Sequence, residues 1–113
     1  MDNRTFGYAR VSSKEQHEDR QIEALINYGV AKDNIIIDKC SGKDMNRPQF
    51  QQMMDFVRDG DILYVSEFSR LARSTKDLLN IIDKLAEKNV QVISQKENFD
   101  TSTPQGKLML TFF

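Results

Sequence analysis

Two short segments of the chain carry residue types that attack and hold a phosphate. The first, FGYARVSS at residues 6–13, has the pattern of a strand that runs directly into a helix, with Arg10 and Ser12 at its end. Side chains two positions apart share one face of a strand, so we expect this guanidinium and this hydroxyl to point to the same side. A helix N-terminus next to them favours an anion. The segment therefore predicts a site for attack on a phosphate.

The second segment, SEFSRLARS at residues 66–74, supplies Arg70 and Arg73 directly after an apolar strand, and Arg47 precedes the middle helix. Ligands of an open parallel sheet bind beyond the carboxyl ends of the strands. Loops that are distant in sequence thus bring Ser12 and these arginines to one edge of the sheet. Forked guanidiniums match the non-bridging oxygens of a phosphodiester. The spacing predicts an anion pocket with a hydroxyl nucleophile.

The elements that position these residues alternate along the chain. The predicted strands are 5–11, 35–38, 62–66 and 90–94, and the predicted helices are 13–28, 48–58 and 75–88. Gly29 suits the end of the first helix and Pro48 the start of the second. This alternation predicts an α/β fold with parallel β-α-β units. We expect a three-layer sandwich whose largely parallel sheet of four or five strands carries helices on both faces.

Composition indicates one globular domain over residues 1–113, with 39% apolar and 29% charged residues. The net charge of −1 is lower than that of most nucleic-acid-binding proteins. It does not exclude nucleic-acid binding, because the local electrostatic field depends on where the charges lie. No apolar run approaches the roughly 20 residues of a membrane span, and no signal peptide precedes the domain. The single cysteine, Cys40, excludes an internal disulfide. These features predict a cytoplasmic protein.

The motifs taken together resemble those of the serine recombinases, the family of resolvases and invertases. They occur in that family's order from about Gly7 to the last residue: YARVSS at 8–13, Gln16, Ser41-Gly42, Arg47-Pro48 and RLAR at 70–73. The resemblance implies the family's catalytic domain, which cleaves and rejoins DNA through a 5′-phosphoserine ester and leaves a free 3′ hydroxyl. Its nucleophile would be Ser12.

The same resemblance implies roles for the other site residues. The further catalytic residues would be Arg10, Arg47, Arg70, Arg73 and Gln16, and the DNA contacts would be Lys43 and the four arginines. No metal or cofactor is implied. The partners would be DNA and further copies of the chain, as a dimer and as a tetramer in the active synaptic complex.

The apolar end of the chain, GKLMLTFF at residues 106–113, reads as the start of a helix. By the same resemblance it opens a long dimerisation helix that a DNA-binding domain follows. We expect that long helix and that domain to be missing from the 113 residues. The isolated chain would then recombine DNA poorly.

Other interpretations of Ser12 stay open. It can cap the first helix with Glu15, although Ser13 with Gln16 offers a second capping box that would leave Ser12 free. A hydrolase that uses Ser12 and His17 is disfavoured, because the chain lacks the Gly-x-Ser-x-Gly elbow.

A non-catalytic alternative is a DNA-binding or phosphate-binding regulatory domain of the same fold, with Asp38 as an acidic strand-end residue. Ser69 bears on this choice, because many serine recombinases have aspartate at that position. The general acid and base therefore remain unassigned. Taken singly, Arg10 could simply pair with Asp38, and Arg70 with Glu67.

Overall fold

The computed structural model describes residues 4–11, 18–39, 47–72, 74–97 and 104–110. The strands are β1 (Thr5–Val11), β2 (Ile35–Lys39), β3 (Ile62–Val65) and β4 (Gln91–Ser94). The helices are α1 (Glu18–Asn27), α2 (Pro48–Phe56), α3 (Thr75–Glu87) and α4 (Pro104–Leu110). Two short 3-10 helices lie at Lys32–Asn34 and Phe68–Arg70, and we call the second the arginine turn.

The strands form one parallel sheet in the order β2-β1-β3-β4. β1 is hydrogen-bonded on both sides, with Tyr8 opposite Val65 of β3 and Arg10 opposite Asp38 of β2. The chain winds outward from β1 in one direction to β2 and in the other to β3 and β4. The gap between β1 and β3 is thus the switch point at which open α/β sheets bind ligands. The predicted α/β sandwich is confirmed.

Each face of the sheet packs on its own helices, because side chains alternate along β1 and β3. The face covered by α2 and α3 holds the larger core, which includes Phe6, Tyr8, Phe50, Met53, Leu63, Val65, Leu78, Ile82 and Leu85. The opposite face is covered by α1 and holds Ala9, Leu25 and Val30, with Ile35, Ile37 and Tyr64 against them. Arg10 continues the Phe6 and Tyr8 side of β1 and therefore points toward the α2 and α3 layer.

Helix α1 approaches β1 closely because Gly7 has no side chain. A Cβ at that position would meet Leu25 Cδ1 at 3.0 Å. At its other end α1 closes with a Schellman motif, in which Val30 N donates to Leu25 O at 3.1 Å and Gly29 N to Ile26 O at 2.9 Å. Gly29 has φ of +103°, which confirms its predicted place as the terminating glycine.

The starts of the other helices are fixed by side chains. Pro48 opens α2 as predicted. Ser74 caps α3, since its Oγ accepts a hydrogen bond from Asp77 N at 3.1 Å. Helix α2 ends at Phe56, two residues before the predicted end, because Val57 has extended backbone with φ −65° and ψ 149°.

Helix α4 begins at Pro104, two residues before the apolar segment that predicts it. Leu108 on this helix is exposed. In the described part of the chain, no helix has both the length and the apolar character that crossing a bilayer requires.

A partly buried ion pair joins the start of β1 to the turn before β3. Arg4 contacts both carboxylate oxygens of Asp61, with Nη2 at 2.7 Å from Oδ2 and Nε at 3.2 Å from Oδ1, and the amide of Arg58 donates to Oδ2 at 2.9 Å. Burial alone would raise the pKa of the Asp61 carboxyl. The hydrogen bonds from Arg4 and Arg58 outweigh that effect and hold the pKa below its ordinary value.

Lowering the pH should therefore weaken the fold through Asp61. A carboxyl whose pKa is depressed in the folded state stabilises it fully above the unfolded pKa of about 4, and this contribution is lost as the pH falls through the folded pKa. We expect Asp61→Asn to lower the free energy of unfolding by about 2 kcal/mol at pH 7. Urea unfolding at pH 7 and pH 3 measures the stability of each variant and its dependence on pH. The control is Asp83→Asn, an exposed residue of α3, which should change neither the stability nor its pH dependence. Equal pH dependence in the Asp61 variant and the wild type would contradict this assignment.

Candidate active site

Three of the predicted site residues are described, and they lie at one edge of the sheet. Arg10 stands near the end of β1, Arg47 directly precedes α2, and Arg70 ends the arginine turn after β3. The other four fall outside the described residues: Ser12, Gln16, Lys43 and Arg73.

Arg10 and Arg70 hold each other in place across the gap between β1 and β3. Arg10 Nη2 donates to the carbonyl of Ser69 at 2.8 Å, and Arg70 Nη1 donates to the carbonyl of Arg10 at 3.1 Å. The pairing of Arg10 with Asp38 that its strand position allowed does not occur. Instead the guanidinium of Arg10 faces the arginine turn, and that of Arg70 faces the end of β1.

Arg47 is buried, with 8% of its surface exposed. Its Nη1 donates to the carbonyl of Leu71 at 2.5 Å, and its guanidinium carbon lies 4.2 Å from the centre of the Phe50 ring. Among the described residues no carboxylate lies within ion-pair distance of Arg47, and its buried Nε lacks a hydrogen-bond acceptor. A groove of about 520 Å³ between α2 and α3 reaches this guanidinium.

The loop that delivers Arg47 is anchored by a buried carboxylate. Asp38, near the end of β2, accepts hydrogen bonds from Gln49 N at 3.0 Å and Phe50 N at 2.9 Å, which are N–H groups of the first turn of α2. It also accepts one from the Tyr8 hydroxyl at 3.0 Å. Burial raises the pKa of the Tyr8 phenol, the Asp38 charge adds to the rise, and Arg47 opposes it. Asp38 thus fixes the start of α2 and with it Arg47.

Removing the Tyr8 hydroxyl should loosen this anchor. We expect Tyr8→Phe to lower the free energy of unfolding by about 1–2 kcal/mol, because the buried Asp38 carboxylate loses one of its donors. Tyr28→Phe is the matched control, since Tyr28 contacts Tyr64 through its ring and lies only half-buried. Denaturant unfolding of the two variants measures the difference. A loss as large in the control would show that removing any tyrosine hydroxyl has this effect, and that the bond to Asp38 does not explain it.

Two glutamates contact residues of the arginine turn. Glu67 Oε1 lies 3.2 Å from Arg70 Nε, and its Oε2 lies 3.2 Å from Lys96 Nζ. Glu97, in the turn after β4, accepts the Phe68 amide at 2.9 Å and also bonds the Ser94 hydroxyl. The Glu67–Arg70 pair follows the i,i+3 spacing of the sequence. The contact of Glu97 with Phe68 joins residues 29 apart in sequence, and no local sequence motif predicts it.

The arrangement suits an anion at the switch point. Arg10, Arg47 and Arg70 come from separate segments and donate hydrogen bonds to main-chain carbonyls, which carry no net charge. Carboxylates therefore neutralise only part of their positive charge. The Nε–H groups of Arg10 and Arg47 are both buried without a hydrogen-bond acceptor within the described ranges. A phosphate at this edge would supply acceptors and negative charge together. Such donors, fixed before the reaction, stabilise charge that develops on a phosphoryl group.

Comparison with known proteins identifies the family to which this fold belongs. Residues 5–113 match the family model "Resolvase, N terminal domain". A resolvase of Clostridium perfringens is 45% identical over 108 residues, which is 93% of this chain and 57% of that protein. The transposon Tn917 resolvase of Enterococcus faecalis is 39% identical over 102 residues, 90% of this chain and 54% of that protein. The chain thus spans somewhat more than half the length of the curated relatives that it matches.

Solved structures of the same kind superpose on the fold. The N-terminal catalytic domain of the TP901-1 integrase has a TM-score of 0.77 and 29% identity, covering 97% of this chain and 90% of that one. The C-terminal catalytic domain of ISC1926 TnpA, an IS607-like serine recombinase, has a TM-score of 0.69 and 26% identity, covering 96% and 76% of the two chains. With its family model matched over nearly the whole length, the chain belongs to the resolvase N-terminal domain family, that of the serine recombinases.

Proposed function

We propose that the chain is the catalytic domain of a site-specific DNA recombinase that cuts and rejoins DNA through Ser12. The observation that carries the proposal is the meeting of three arginines at one edge of the sheet: Arg10 and Arg47 donate to the carbonyls of Ser69 and Leu71, and Arg70 donates to the carbonyl of Arg10. Three guanidiniums held at the switch point of a parallel sheet suit a phosphodiester. Family membership supplies the reaction class.

The reaction is an exchange of esters. The Ser12 hydroxyl oxygen attacks the phosphorus and gives up its proton as the bond to the 3′ oxygen breaks. The leaving 3′ oxygen takes up a proton and becomes the free 3′ hydroxyl. The product is a 5′-phosphoserine ester on the protein. Attack by a 3′ hydroxyl on that ester reverses the step and rejoins the strand. Bond energy is conserved, so the reaction needs no nucleotide cofactor.

The arginines supply the electrostatic part of this chemistry. Charge concentrates on the non-bridging oxygens as the serine attacks, and forked N–H donors match those oxygens. We assign this role to Arg10, Arg47, Arg70 and Arg73, with Gln16 and Lys43 as further contacts to the DNA. Because one serine cleaves one strand, double-strand cleavage at two sites requires four subunits, and a dimer would bind each site. The protein would act in the cytoplasm, where the DNA of the bacteria that carry the relatives lies.

A covalent trap tests the proposal. The full-length protein that carries this chain is incubated with a pool of randomised DNA duplexes, denatured, and digested with protease and nuclease. Mass spectrometry should find a peptide that contains Ser12 with a nucleotide attached through its 5′ phosphate. Binding of DNA without any adduct would support the regulatory alternative. An adduct on another residue, or one through a 3′ phosphate, would contradict the proposed reaction.

A further inference from the structure

Arg70 is contacted by a carboxylate that lies outside the predicted site. Glu67 precedes the arginine turn, and its Oε1 lies 3.2 Å from Arg70 Nε. The two side chains are 25% and 24% exposed, so neither is fully hydrated nor fully buried. An arginine on a surface turn otherwise samples many rotamers, and ordering it costs up to about 2 kcal/mol. An ion pair at Nε reduces that cost before any ligand arrives.

A second contact completes the orientation of this guanidinium. Arg70 Nη1 donates to the carbonyl of Arg10 at 3.1 Å. The Nη1 hydrogen bond sets the direction of the planar group, and the charge of Glu67, which accepts no hydrogen bond from Nε, holds the group from its other side. The Arg10 carbonyl belongs to β1, a central strand of the sheet. Arg70 is therefore held between a rigid strand and the Glu67 side chain.

Lys96 explains how a carboxylate can stand this close to an anion site. Its Nζ lies 3.2 Å from Glu67 Oε2, so the second oxygen of the carboxylate is also paired. The backbone of Lys96 is fixed as well, because its N–H donates to the Ser66 carbonyl at 2.9 Å. The ammonium offsets the negative charge of Glu67, which would otherwise repel a phosphate. The pair can thus orient Arg70 without adding net negative charge.

We propose that Glu67 is a positioning residue of this site: it orders the Arg70 guanidinium for a phosphate, and Lys96 offsets its charge. The inference rests on the proposed function for the identity of the ligand. The ordering of Arg70 is independent of the proposed function, because it can be measured without DNA.

The test compares Glu67→Gln with the wild-type chain by NMR of the arginine Nε–H groups, with inorganic phosphate as the probe. Without phosphate, the Arg70 Nε–H signal should be sharp in the wild type and broadened in Glu67→Gln. The dissociation constant for phosphate, followed on Arg10 and Arg47, should rise about fivefold in the variant. The thermal midpoint should move by less than about 3 °C, since a partly exposed ion pair contributes little stability.

A second background separates positioning from a general electrostatic effect. Arg70→Lys keeps the charge but removes Nε, so Glu67→Gln should change phosphate affinity by less than about twofold in that background. The control Glu23→Gln, an exposed carboxylate of α1, should leave the signals and the affinity unchanged.

Several results would overturn the inference. Phosphate binding that is unchanged or tighter in Glu67→Gln would make the glutamate a bystander whose charge only repels the ligand. The same loss in the Arg70→Lys background would show that it does not act through Arg70. Should the wild-type chain bind no phosphate, the proposed function loses its support. The Arg70 signal then decides the role of Glu67: broadening in the variant upholds it, and an unchanged signal refutes it.

Discussion

Replacing Ser12 by alanine should abolish the covalent protein–DNA adduct and leave DNA binding intact. The hydroxyl is the only group removed, and in the proposed reaction its oxygen is the atom that bonds to phosphorus. No other group can replace it at the same position, so the rate of adduct formation should fall by more than about 10³-fold. Gel shift measures binding, and a denaturing gel of labelled DNA measures the adduct in the same samples.

The neighbouring serine provides the control for this prediction. Ser13→Ala removes a hydroxyl of the same kind one position further on, where we expect at most a helix cap worth about 1 kcal/mol. It should destabilise the protein slightly and still form the adduct. If the two variants behaved in the opposite way, the nucleophile would be Ser13. An adduct that survives in the Ser12 variant and in the double variant would exclude both residues.

Arg47→Met should increase stability while it destroys activity. Methionine keeps the packing over Phe50 and removes a buried guanidinium that has no carboxylate partner among the described residues. Relief of that buried charge should outweigh the lost hydrogen bond to the Leu71 carbonyl and raise the free energy of unfolding by about 1 kcal/mol. Loss of a fixed donor to the phosphate should lower the rate of adduct formation by about 10²–10³-fold. Urea unfolding and adduct kinetics on one preparation give both numbers.

Arg47→Lys is the variant that separates charge from shape. It keeps the positive charge but loses the fork that contacts two oxygens at once. We expect its activity to lie between those of the wild type and Arg47→Met, with no gain in stability. If Arg47→Met instead destabilised the protein and kept full activity, the arginine would serve the fold alone.

The sequence predicted the architecture well because its signals are local and agree with one another. Helix α2 begins at Pro48 and Gly29 terminates α1 as predicted, since a proline fixes its φ and a glycine tolerates a positive one. Helix α2 ends two residues before the predicted end, where Val57 has extended backbone, and β3 ends one residue early, at Val65. The parallel direction of the strands followed from the β-α-β pattern, while their order, β2-β1-β3-β4, is known from the structure.

The sequence predicted which arginines lie at the site, but it did not predict which groups their side chains contact. The motifs placed Arg10, Arg47 and Arg70 at one edge, and the described structure brings all three there. The sequence could not show that main-chain carbonyls hold them, because every residue has one. Nor could it show that Glu97 supports Phe68, since that contact depends on how β4 lies beside β3. The roles of Ser12, Gln16, Lys43 and Arg73 stay predictions.

The carbonyl of Ser69 receives Arg10, while its side chain is exposed. A peptide group is the same whatever residue supplies it, so point mutations at position 69 can accumulate over evolution without dislodging that arginine. Insertions and deletions are different, because one residue more or fewer in the turn would shift the carbonyl out of reach. Natural variation here should therefore change the amino acid and preserve the loop length.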